Sequence, residues 1–170
     1  MKRMNPATGR VLFLMIGVLL ALHASMGCAS KEEKAADHLE KAEAYLEEKA
    51  WNKAVIELKN VLQLDPESDK AYYALGEAYL NQKMGKEAFQ AFRAAISINP
   101  ENLDAQLKVG EILLLGKQID SAREKAELVL EKDPENIEAM QLLSGVQVQE
   151  RDLEAAIETL EKAADMSPDN

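Results

Sequence analysis

The chain has 170 residues, 47% hydrophobic and 29% charged, with eight glycines and five prolines. It is long enough to bury a sizeable core, and its richness in Ala, Leu, Glu and Lys points to helix rather than sheet. The formal net charge of −10 understates the acidity of the body: Lys2, Arg3 and Arg10 are the only charged groups before Cys28, which leaves 17 basic against 30 acidic groups in residues 28–170. That balance excludes a protein that neutralises nucleic-acid phosphates, and it disfavours electrostatic attraction to anionic lipid.

The N-terminus reads as a targeting segment, a signal peptide over residues 1–27. Met1 to Arg10 is basic, Val11 to Leu22 ("VLFLMIGVLLAL") is apolar, and the small residues of "HASMGCAS" follow. At about 1.5 Å per residue the apolar run covers about 18 Å, well short of the ~30 Å hydrocarbon core, so a secretory signal fits better than a permanent transmembrane helix. Cys28 is the only cysteine, which rules out an internal disulfide.

Ser25-Met26-Gly27-Cys28 resembles the lipobox of bacterial lipoproteins. The resemblance implies that Cys28 is lipidated and becomes the first residue of the mature chain, with residues 28–34 forming the anchor and a short charged tether from Ser30 to Lys34. Ser25 stands where that family prefers leucine and Met26 where it prefers a small residue, so ordinary signal-peptidase cleavage nearby is the alternative. Ala29 after the cysteine resembles lipoproteins sent to the outer membrane. The expected location is therefore the bacterial cell envelope, at the outer membrane facing the periplasm.

From Ala35 onward the sequence is periodic. Pro66, Pro100, Pro134 and Pro168 are 34 residues apart, as are Ala54, Ala88, Ala122 and Ala156, and a fixed period of this size signals stacked supersecondary units. The repeats run 35–68, 69–102, 103–136 and 137–170. In the second, Tyr72, Leu75, Tyr79 and Leu80 recur at helical spacing, and after a break near Lys83 to Gly85 a new set begins with Ala88, Phe89, Phe92, Ala95 and Ile96. Two helices per repeat are predicted, each pair ended by proline, which lacks an amide hydrogen and biases the residue before it away from helix. Ala42, Gly76, Gly110 and Ser144 share one register, where small side chains let two helices approach closely.

Tyr72, Leu75, Gly76, Tyr79, Ala88, Phe92, Ala95 and Pro100 together resemble the tetratricopeptide repeat (TPR). The resemblance implies an all-α fold, a right-handed α-solenoid of four tandem helix-turn-helix repeats. It also implies an adaptor function, because the first helices of successive repeats line a concave surface that holds a peptide or a partner helix. On that geometry the inward row holds Leu39, Glu43 and Leu46 in the first repeat, and Tyr73, Glu77, Leu80 and Asn81 in the second. Leu107, Glu111, Leu114 and Leu115 follow in the third, and Gln141, Val148 and Gln149 in the fourth. Glutamates beside apolar side chains suit a protein or peptide partner bearing apolar and basic groups. The subclass that clamps acidic chaperone tails uses lysine and asparagine in this row, whereas this chain has Glu43, Ala74 and Glu77 there, and its glutamates would repel such a tail.

No reaction can be read from the chain, and no cofactor or metal is expected. His23 lies in the signal segment and His38 stands alone on the first helix, so no metal pair exists at a workable spacing. Gly76 and Gly110 fall inside helices, unlike the glycines of a nucleotide-binding turn, and Trp51 and Tyr45 are expected in the core. The wording "KAVIELKNVLQLDPES" after a cysteine and a charged tether resembles the opening of long TPR lipoproteins of exopolysaccharide export and exosortase-type sorting, and more loosely pilus-assembly lipoproteins. A membrane-tethered interaction scaffold is the first reading. The alternative is the N-terminal part of a longer array whose ligand site lies elsewhere. In the fourth repeat Ile157, Ala164 and Met166 occupy positions that a following repeat would cover, so self-association, further repeats or a partner are expected at that edge.

Overall fold

The computed structural model describes residues 30–166, which form eight helices: α1 (Lys31–Glu47), α2 (Trp51–Leu64), α3 (Asp69–Asn81), α4 (Gly85–Ile98), α5 (Leu103–Leu115), α6 (Ile119–Lys132), α7 (Ile137–Gln149) and α8 (Leu153–Asp165). Each helix packs mainly on its neighbours in sequence, with α5 also reaching α7. Contacts that are nearly all local in sequence build a stack, in which each repeat leans on the next and the solenoid has no single central core.

The proline phrase makes each turn between repeats. Asp65, Asn99 and Asp133 cap the ends of α2, α4 and α6 outside helical geometry. Their side-chain oxygens accept from the backbone N–H of Glu67, Glu101 and Glu135 at 3.2, 3.1 and 3.3 Å. Three residues on from each, Ser68, Asn102 and Asn136 accept from the N–H of Ala71, Ala105 and Ala139 at 3.3, 3.0 and 2.9 Å, satisfying an amide that the new helix leaves without a partner. Stop, turn and restart are thus written in "DPES", "NPEN" and "DPEN".

The turns inside repeats use another device. Lys49, Lys83, Lys117 and Arg151 adopt φ of 58°, 62°, 59° and 67°, the left-handed conformation that glycine takes most easily. The following amides close Schellman loops: Ala50 donates to the Tyr45 carbonyl, Met84 to Tyr79, Gln118 to Leu113 and Asp152 to Gln147, at 2.8 to 3.0 Å.

Small residues set the helix spacing. Ala54, Ala88, Ala122 and Ala156 are all buried, and a Cβ on Gly76 would stand 2.5 Å from the Phe92 ring. Phe92 therefore lies against the bare backbone of α3. Gly110 is likewise closed over by Leu142, and Gly145 by Leu114.

Two expectations change. Ser30–Lys34 is a helix start, because the Ser30 hydroxyl accepts from the Glu33 amide at 3.1 Å while the Glu33 carboxylate accepts from the Ser30 amide at 2.8 Å. This capping box extends α1 to 17 residues against 13 for α3. Trp51 and Tyr45 are half-buried rather than core; the Lys53 ammonium sits 5.1 Å from the Tyr45 ring centroid, so that ring faces a charge. Cys28, the expected lipidation site, and the expected signal segment lie outside the described residues, as does Pro168.

Candidate functional site

The first helices of the repeats, α1, α3, α5 and α7, carry the inward row. Between α3, α5 and the start of α7 lies a cleft of about 180 Å³ lined by Tyr73, Asp104, Leu107, Lys108, Glu111, Asn136 and Glu138. Asp104, Leu107, Lys108 and Glu111 share one face because they stand at successive helical steps. Tyr73 is held by its ring, which meets Phe92 with centroids 5.5 Å apart.

The cleft is acidic. Asp104, Glu111 and Glu138 face one cation, Lys108, whose ammonium reaches the Glu111 carboxylate at 3.3 Å. Burial holds the Tyr73 hydroxyl well above the usual phenol range, and the carboxylates of Glu77, Asp104 and Glu111 push it the same way. The hydroxyl therefore remains a neutral hydrogen-bonding group in a negative field.

Of the inward row, Tyr73, Leu107 and Glu111 meet in this cleft, with Glu77 close enough for its charge to be felt at Tyr73. Leu107 is only 5% exposed, packed among Ala126, Val129, Ala139 and Leu142, so it forms the floor and offers little surface. Leu39 and Leu46 pack on the first core cluster, and Leu80 and Leu114 on the second. Glu43, Asn81, Leu115, Gln141, Val148 and Gln149 are exposed; Asn81 already donates to the Glu77 carbonyl at 2.9 Å. Asp104, Lys108 and Glu138 were missed. A signal was available for two of them, since Asp104 and Glu138 are 34 residues apart, three register positions before that of Tyr73 and Leu107 and so on the same helix face.

His38 is not alone: its Nδ1 lies 2.6 Å from the Glu57 carboxylate, tying α1 to α2. Among the described residues no group of three or more His, Cys, Asp or Glu is placed to hold a metal ion. None of the described helices is long and apolar enough to cross a membrane.

A family model for the cytochrome c-type biogenesis protein H TPR domain matches residues 29–170. The chain belongs to this TPR family. Among solved structures, MamA from Desulfovibrio magneticus RS-1 is 25% identical with a TM-score of 0.73, covering 81% of this chain and 77% of that one. PilF of Pseudomonas aeruginosa is 21% identical with a TM-score of 0.72, over 82% of this chain and 64% of that one. The first TPR domain of Spaghetti (RPAP3), solved with the HSP90 peptide SRMEEVD, is 22% identical with a TM-score of 0.68, over 74% of this chain and 99% of that one. The last two likenesses are of fold alone. No curated protein matches the chain.

Proposed function

We propose that this TPR chain is a membrane-tethered interaction scaffold that takes a partner segment with Lys or Arg beside apolar side chains on its concave face. The observation that carries the reading is the Tyr73 cleft, where three carboxylates outnumber the single lysine above an apolar floor. A cation entering it exchanges water for fixed carboxylates and a phenolic oxygen, with the charge complementarity that sets specificity and on-rate. The acidic peptide seated on the RPAP3 domain would meet like charge here.

Heptapeptides with a central Arg, Leu or Glu between apolar residues test this, alongside SRMEEVD. The Arg peptide should bind, weaken with salt as exposed charges are screened over about 8–10 Å, and be lost with Glu77→Lys plus Glu111→Lys while helix content is unchanged. Equal binding of SRMEEVD removes the proposal.

The tether is Cys28, supported by the signal-like segment before it and the absence of any thiol partner. Only Ala29 separates it from the Ser30 cap, so the acyl chain would hold the solenoid close against the envelope membrane. Mass spectrometry of the membrane fraction decides this; an intact Met1 terminus or an unmodified Cys28 thiol overturns it. For the pathway, the wording of the first repeat supports exopolysaccharide export, whereas the matched family is named for cytochrome c biogenesis. Neighbouring genes separate these from pilus assembly.

A further inference from the structure

The last helix carries an apolar face that its counterparts hide. On α8, Leu153, Ile157 and Leu160 are 54%, 57% and 45% exposed, and they stand at steps of four and three residues, one stripe of a helix. Ala164, four residues on, prolongs it and is exposed. The residues one, two and three repeats before Leu160 are Ala126, Phe92 and Leu58, and each is 0% exposed. They are covered because α3, α5 and α7 pack on α2, α4 and α6.

The molecule itself shows what fits such a face. Over α2 the covering helix supplies Ala71, Leu75 and Ala78, buried with Val55, Leu58 and Val61, and Tyr79 packs beside them. The pattern is a small–large–small stripe with an aromatic residue next to it. The rim of α8 sets the charge. Glu154, Glu158, Glu161 and Asp165 are exposed there against one cation, Lys162. We propose that the α8 face receives a basic amphipathic helix of a partner protein, seated as α3 is seated on α2. This surface is independent of the concave cleft.

A second copy fits the face poorly. The opposite end of the stack presents α1, whose exposed residues include Glu32, Glu33, Asp37, Glu40, Glu43 and Glu47 against Lys31, Lys34 and Lys41. Head-to-tail stacking would press charged groups of like excess onto Leu153 and Ile157, and pairing α8 with α8 sets two acidic rims together; like-charge juxtaposition selects against both.

The probe is an end-blocked, labelled peptide of residues 68–83 with Glu77 and Asn81 replaced by lysine, titrated with the full chain in detergent. A control peptide carries glutamate at both positions. The lysine peptide should bind, the glutamate peptide should bind about tenfold more weakly, and Ile157→Glu or Leu160→Glu should cost about tenfold or more, with the thermal melt of Ile157→Glu unchanged because that side chain is exposed. The proposal is overturned if neither peptide binds, or if both α8 variants bind like wild type. Loss of binding with Glu111→Lys instead would move the event to the concave cleft and overturn it too. So would a stable dimer of the full chain that Ile157→Glu dissolves, which would make the occupant a second copy.

Discussion

Phe92 on α4 and Leu160 on α8 hold the same place in the repeat, yet one is wholly buried and the other is 45% exposed. Both are large and apolar, and both sit on helices with strongly one-sided patterning. The difference lies in the neighbour: α5 closes over α4, and among the described residues no following first helix closes over α8. In a solenoid, burial is conferred by the next unit, so equal side chains in equal registers contribute unequally to stability.

That comparison can be broken directly by truncating each side chain. Phe92→Ala removes a fully buried ring and leaves a cavity against Gly76, and should cost about 3–5 kcal/mol. Leu160→Ala, at a half-open site, should cost less than about 1 kcal/mol. Urea unfolding followed by circular dichroism reads both. Similar losses would mean that α8 is as fully supported as α4.

The glycines sharpen the same contrast at smaller scale. A Cβ on Gly76 would stand 2.5 to 2.7 Å from three ring carbons of Phe92, whereas one on Gly85, which has no positive φ, meets nothing within 4 Å. The Phe92 ring is fully buried, so Gly76→Ala should lose about 1–3 kcal/mol through overpacking. Gly85→Ala should gain about 0.4–1 kcal/mol by restricting the unfolded chain. A Gly76→Ala protein with wild-type stability would show that α3 and α4 part without cost.

Much of this architecture was legible in the sequence because one physical requirement recurs at one spacing. Each unit must stop a helix, turn and restart, and "DPES" or "NPEN" does all three with local hydrogen bonds that need no tertiary context. The bare register of Gly76 announced the close approach of α3 and α4 for the same reason. What could not be read depends on neighbours. Leu107 belongs to the inward row by spacing, yet Ala139 and Leu142 from the next repeat share its core cluster, leaving it as a floor. Lys49, Lys83, Lys117 and Arg151 gave no sign of left-handed backbone, since that position ordinarily advertises itself with glycine. The Lys31–Lys34 turn looked like a tether because composition alone does not distinguish a charged linker from a capped helix start. His38 seemed isolated because Glu57, its partner, lies 19 residues away on α2.

The smallest effect expected compares two junctions between repeats. Between the second and third, the Asp69 carboxylate on α3 accepts from the side-chain amides of Asn99 at 2.9 Å and Asn102 at 3.0 Å, pinning the linker before α5. One repeat later the equivalent of Asp69 is Leu103, and Asn136 turns back on Asp133 within its own linker at 3.1 Å. The Asn99 amide, aided by Asn102, holds the Asp69 carboxyl below its ordinary range against the opposing pull of desolvation. A carboxyl with a lower pKa folded than unfolded adds stability that is full above the unfolded value of about 3.9 and vanishes as pH falls through the folded value. The junction between repeats two and three should therefore loosen in acid, and Asp69→Asn should remove that contribution at neutral pH. Hydrogen exchange of the amides around Asn99 to Asn102, followed from pH 7 downward, tests it: the difference between wild type and Asp69→Asn should shrink as pH falls below about 4. A difference that stays constant through that range would show that the carboxylate's charge contributes nothing to the tie and that two neutral amide bonds would hold the linker as well.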